Sequence, residues 1–120
     1  MSDDELLGRH GEVVDLLADT LNSKNNLAYA YQSAGRLGDA IPLYEETLAD
    51  RLRVLGPNHP ATFGSKNNLA VAYWEAGRPQ DAISLLEATY ADRLRILGPD
   101  HPDTLVSEEI LAAAREVVGE

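Results

Sequence analysis

The chain has no cysteine, one tryptophan, one phenylalanine and one methionine, and its ten cations face twenty carboxylates. Without cysteine, disulfides, thiolate metal sites and thiol nucleophiles are excluded. The formal charge of −10 argues against nucleic acid, because a phosphate backbone is bound through clustered cations that release counterions. Eight of the ten cations are arginines, and several alternate with apolar residues, as in Arg51-Leu52-Arg53-Val54, which is the pattern of a helix surface and not of a basic patch. A cationic or neutral peptide is the easier electrostatic match. No apolar run approaches the roughly 18 to 20 residues of a membrane span. The acidic start Met-Ser-Asp-Asp-Glu is the opposite of a basic signal-peptide start. The expectation is a cytoplasmic chain that engages no membrane, and 120 residues at 44 % hydrophobic content suit one domain with an ordinary core.

What the chain has in abundance is repetition. Ser-Lys-Asn-Asn-Leu-Ala stands at residues 23–28 and again at 65–70, and a shift of 42 residues brings 24–65 onto 66–107 with identity at 28 of the 42 positions. A period in this range marks a stacked array, in which each unit is one supersecondary element unable to bury its apolar face alone.

Within each unit the apolar residues follow a helical period and the breaks are glycine and proline. Leu27, Ala28, Tyr31 and Ala34 mark one face of a helix that Gly35 ends. Ala40, Ile41, Leu43, Tyr44, Leu48, Leu52 and Leu55 belong to a second helix that Gly56-Pro57 stops. The second copy repeats this with Gly77, Pro79 at a first helical position, and Gly98-Pro99. The spacing predicts helices over about 37–55, 60–76 and 79–97, joined by loops short enough to make neighbours antiparallel.

The ends are imperfect copies. Ala18 stands where Pro60 and Pro102 stand later, so the first helix is expected to run back through Val13, Leu16 and Leu17, with Gly8 and Gly11 separating a short helix nearer the N-terminus. At the other end Lys-Asn-Asn becomes Glu108-Glu109-Ile110, consistent with a more polar cap on the array. The expected organisation is an extension or cap at 1–18, repeats at 19–59 and 60–101, and a partial repeat or capping helix at 102–120.

The segments Asn25–Leu48 and Asn67–Tyr90 resemble the tetratricopeptide repeat, whose helix–turn–helix signature is met by Leu27, Ala28, Tyr31, Gly35, Ala40 and Tyr44, and by Leu69, Ala70, Tyr73, Gly77, Ala82 and Leu86. Leu86 in an aromatic slot and Thr47 and Thr89 in a slot usually held by alanine depart from it. The long period is similar to that of kinesin light chains and of arrays in multidomain bacterial signalling proteins. The resemblance covers about residues 18–118. It implies an all-α, right-handed superhelix of antiparallel helix pairs that binds proteins or peptides in a concave groove, with no catalysis and no cofactor.

The resemblance also implies that Asn26 and Asn68, just before the signature leucines, hydrogen-bond the backbone of a bound peptide, as an amide that donates and accepts can do. Ile110 holds this place in the third copy, so such a ladder ends after two rungs. Neighbours on the same face are Asn22, Tyr29 and Ser33 in one copy and Gly64, Val71 and Glu75 in the next, with Trp74 near the rim. The competing readings are that the asparagines bond only to helix backbone or water, or are copied by duplication. Trp74 is either an exposed anchor for a partner or packing between repeats.

Tyr31, Tyr44 and Tyr73 are expected in the core. His59 and His101, each before a proline, are placed to accept a free N–H at a helix start, and they lie too far apart for a metal site. Ser23, Ser65 and Ser107 recur with no base beside them, and the many carboxylates fall on outer helix faces, so no catalytic set emerges. The main alternative to a binding module is a self-assembling or scaffold segment of a larger protein, with homo-oligomers formed through terminal helices whose apolar faces are left open.

Overall fold

Glycine and proline divide the chain into helices because each denies the helix something specific. Gly35 and Gly77 take φ of +76°, a left-handed conformation open to glycine at little steric cost. Around them the Arg36 N–H reaches Tyr31 O at 2.8 Å and the Arg78 N–H reaches Tyr73 O at 2.8 Å, the paired closure of a Schellman end. Pro60, Pro79 and Pro102 each open a helix, where a missing N–H costs nothing. In the loops before Pro60 and Pro102, His59 Nδ1 accepts the Ala61 N–H at 3.0 Å and His101 Nδ1 accepts the Asp103 N–H at 3.1 Å, the capping role the sequence suggests.

The computed structural model describes residues 3–119, with side chains at 16, 17 and 19–119. Among the described residues there are five helices and no strand: α1 (Asp3–Ser33), α2 (Leu37–Leu55), α3 (Pro60–Glu75), α4 (Pro79–Leu97) and α5 (Pro102–Val117). The expected break at Gly8 and Gly11 does not occur, and α1 runs through both. Glycine inside a helix costs only about 1 kcal/mol relative to alanine, and no proline follows to turn the chain. Each helix packs on the next in chain order, α1 on α2, α2 on α3, α3 on α4 and α4 on α5, giving stacked antiparallel pairs in a slab 61 × 36 × 17 Å.

Two buried clusters form inside the stack. Ala28, Ala40, Ile41, Tyr44, Leu69 and Tyr73 belong to the first, and Ala70, Ile83, Leu86, Leu111 and Ala114 make the second. Ala28 and Ala40 are fully buried, because a methyl group lets paired helix backbones approach closely. Tyr44 and Tyr73 are buried as expected and Tyr31 is half-buried. Leu27 and Ala34, expected on the packed face, are exposed, as are Leu16 and Leu17. Val13 has a side chain outside the described residues. The corresponding Leu69 and Leu111 are 4 % exposed and Leu27 is 47 % exposed. The difference is that α2 precedes α3 and α4 precedes α5, while no described helix precedes α1.

Polar groups repeat with the fold. Lys24 Nζ meets Glu46 at 2.8 Å and Asp50 at 3.3 Å, and the equivalent Lys66 Nζ meets Asp92 at 3.1 Å. These pairs tie the first helix of a unit to the second. Burial alone would raise the Asp92 carboxyl, but Lys66 and Arg95 outweigh it and hold the group below the ordinary carboxylate range.

Two outcomes test this packing. Replacing Tyr44 or Tyr73 by alanine is expected to cost about 3–5 kcal/mol in urea unfolding, whereas Tyr29→Ala, at a side chain 64 % exposed, is expected to cost less than about 0.5 kcal/mol. Equal losses at all three would contradict the assignment of the core. A depressed folded pKa for Asp92 contributes stability that is present above the unfolded value near 4 and lost as pH falls through the folded value. The unfolding midpoint is therefore expected to drop below about pH 4, and Lys66→Met should make that drop shallower. Superimposable pH profiles for the two proteins would rule out the ion pair as its source.

Candidate functional site

The first helices of the units, α1, α3 and α5, present one shared face. Side chains meet directly across the α1/α3 seam. Asn68 Nδ2 donates to Asn25 Oδ1 at 3.3 Å, and Gln32 Nε2 donates to Glu75 Oε2 at 3.1 Å. Gln32 is itself held from below, since its Oε1 accepts the Tyr44 hydroxyl at 2.7 Å. A hydrogen-bonded line thus runs from a buried tyrosine of α2 through Gln32 to the surface carboxylate of Glu75. Burial is the main reason the Tyr44 phenol is pushed above its ordinary range, with Tyr29 and Glu75 adding to it, so Tyr44 stays a donor.

Across the α3/α5 seam the chemistry changes. By the repeat register, Trp74 occupies the place of Gln32 and Val117 that of Glu75, while Ile110 replaces Asn68. The polar bridges are gone. In their place Val71, Trp74, Ile110, Ala113, Ala114 and Val117 line an apolar cleft of about 260 Å³, floored by Ala70, Ala82 and Leu86. Trp74 packs against both core clusters and is half-buried, so it serves as packing between repeats and as a wall of the cleft. Val71 is 51 % and Val117 is 73 % exposed. A wider depression of about 500 Å³ lies between α2 and α4, but carboxylates of Glu45 and Asp81 stand among its lining residues. The α3/α5 cleft has no charged lining.

The sequence-derived residues divide into three groups. Asn26, Tyr29 and Ser33 on α1 are exposed. Asn68 and Glu75 on α3 are engaged with α1 as described, and Asn22 accepts the Arg51 Nη2 donor at 2.8 Å through its Oδ1. Val71 and Trp74 meet in the cleft. Sequence reasoning did not single out Gln32, Asn25, Ala113 or Val117. The signal was available in the 42-residue register, because the pairs 32/75 and 74/117 exchange polar for apolar partners together.

This face is built of amides, apolar side chains and the Glu75 carboxylate. The recurrent Ser65 and Ser107 lie away from it, and their hydroxyls accept Arg51 Nη1 at 2.6 Å and Arg93 Nη1 at 2.8 Å. Their recurrence is explained by these contacts between helices, not by chemistry within one helix. Among the described residues no group of three or more histidines and carboxylates is arranged to hold a metal ion, and no helix is long and apolar enough to cross a membrane.

Comparison with known proteins agrees with the geometry. The tetratricopeptide-repeat family model matches residues 16–93 and 63–116. Among solved structures, a kinesin light chain-type protein of Podosopora anserina with nearly identical TPR-like repeats is similar at 33 % identity and a TM-score of 0.76, over 96 % of this chain and 62 % of that one. A point variant of that protein is similar at 31 % identity and a TM-score of 0.77, over 93 % of this chain and 60 % of that one. The chain thus spans about three fifths of the length of these solved chains. Comparison with curated proteins finds no match. With paired helices, glycine-closed turns and a family match over most of its length, this chain belongs to the tetratricopeptide-repeat family, whose repeats typically serve as scaffolds for protein interaction.

Proposed function

We propose that the chain is a protein-interaction module that holds a peptide segment of a partner along the concave face formed by α1, α3 and α5. The observation that carries this reading is the apolar cleft of Val71, Trp74, Ile110, Ala113 and Val117, with the amide of Asn68 on the same helix as Val71 and Trp74 and that of Asn26 exposed on α1. A segment fitting both would place an apolar side chain in the cleft and its backbone against the amides, which can donate and accept. Burying one large apolar side chain there is worth about 1.5–3 kcal/mol. The net negative charge favours a partner that is neutral or cationic.

Trp74 is the chain's one tryptophan, so its fluorescence reports directly on the cleft. Short peptides selected on the folded protein from a random displayed library are expected to shift that emission. Val71→Glu and Val117→Glu should weaken their binding by about tenfold or more, and Asn26→Ala with Asn68→Ala should weaken it further, with circular dichroism unchanged. Selected peptides whose affinity ignores all four substitutions would overturn the proposal.

A further inference from the structure

Among the described residues, no helix occupies the face of α1 that points away from α2. In α3 the residues Thr62, Ser65, Leu69 and Ala72 receive α2 and are 0–4 % exposed, and in α5 Thr104, Ser107, Leu111 and Ala114 receive α4 and are 0–8 % exposed. The same four residue types stand in α1 at Thr20, Ser23, Leu27 and Ala30, and all four are exposed. Each filled seat takes an arginine from the incoming helix. Arg51 reaches Ser65 and the Ala61 carbonyl, and Arg93 reaches Ser107 and the Asp103 carbonyl at 3.5 Å.

The chain carries a degenerate copy of the helix such a seat accepts. Shifting by 42 residues places Arg9 on Arg51, Leu6 on Leu48, and Asp3-Asp4 on Glu45-Glu46. This segment does not turn back onto its own seat. The turn residues Gly56 and Pro60 are replaced by Val14 and Ala18, and α1 is one continuous helix from Asp3. Residues 3–17 therefore extend about 22 Å along the helix axis, at 1.5 Å per residue, away from the seat they match.

We propose that two copies of this chain pair through antiparallel α1 helices, each laying its residues 3–17 into the other's seat at Thr20, Ser23, Leu27 and Ala30. The register follows from the filled seats. The Arg51 to Ser65 contact, moved back one repeat, sets Arg9 of one copy opposite Ser23 of the other, and beside Asp19, which supplies the opposite charge. Because both positions lie on α1, the pairing is reciprocal and closes on a two-fold axis near Leu16, midway between 9 and 23. Leu16 is 66 % exposed in the single chain. The far end of the array offers no such match. There the α5 positions that would meet a following helix include Glu108 and Arg115, the latter already paired with Glu87 at 2.9 Å.

The chain has no cysteine, so a single Leu16→Cys provides a clean test, alongside sedimentation equilibrium of the unmodified protein from micromolar to millimolar concentration. The expected results are a species of twice the 13.0 kDa chain mass and a dissociation constant raised about tenfold or more by Leu27→Glu but not by Leu105→Glu. Leu16→Cys should cross-link to dimer on mild oxidation, because a disulfide needs Cα atoms within about 7 Å, while Leu105→Cys should not. Leu27 and Leu105 are both about half exposed, so neither variant threatens folding, and circular dichroism checks this. A monomer at all concentrations, a dimer sensitive to Leu105→Glu instead, or a dimer that Leu16→Cys fails to trap would each overturn the pairing. So would stoichiometric seating of a synthetic peptide of residues 37–55 on a chain that stays monomeric, since the seat would then serve helices from elsewhere.

Discussion

The joint between successive units is an arginine buried at the meeting of three helices. Arg51 leaves α2 at 5 % exposure, donates to Asn22 on α1, and donates to Ser65 and a carbonyl on α3. Burial pulls its guanidinium below its ordinary range, but an arginine remains charged, so the joint has to supply acceptors. A buried charge is expensive unless hydrogen-bonded, and its Nε is left without a partner, as is that of Arg93. A joint of this kind tolerates little sliding of one helix along another. It fixes the angle at which each long helix meets the next short one, and so fixes where the shared face and its cleft fall.

A stack in which the main packing of each helix is against its chain neighbours has two consequences for function. The first is that one face can change its chemistry at one seam without disturbing the rest. The α1/α3 seam is bridged by Asn25–Asn68 and Gln32–Glu75, while the α3/α5 seam presents Trp74, Ile110 and Val117 with no bridge. The second is that a helix with no described helix before it exposes what its equivalents bury. Leu27 is exposed for that reason alone, since its equivalents Leu69 and Leu111 are buried by the helix before them.

Much of this fold is legible in the sequence because its boundaries are set locally. Gly35, Gly77 and the prolines at 60, 79 and 102 stop or start helices through their own backbone limits, and the tyrosine core follows from helical spacing. What the spacing does not carry is which face of a helix has a neighbour. Leu27 and Leu69 are the same letter in the same motif, and only the presence of α2 before α3 separates them. Gly8 and Gly11 mislead for a related reason, since glycine weakens a helix without turning it. At the shared face, the amides and Trp74 stand out as residue types, whereas the partners Gln32 and Val117 become visible only when substitutions one repeat apart are compared as pairs. The role of Ser65 and Ser107 likewise depends on an arginine 14 residues earlier in the chain.

The arginine joint is tested most directly by a double-mutant cycle on Arg51→Met and Ser65→Ala, read by urea unfolding. A hydrogen bond to a charged group predicts a coupling of about 1.5–3 kcal/mol, with a similar value for Arg93 and Ser107. A coupling within about 0.3 kcal/mol of zero at both joints would show that the arginines merely fill space and that apolar packing alone sets the stack.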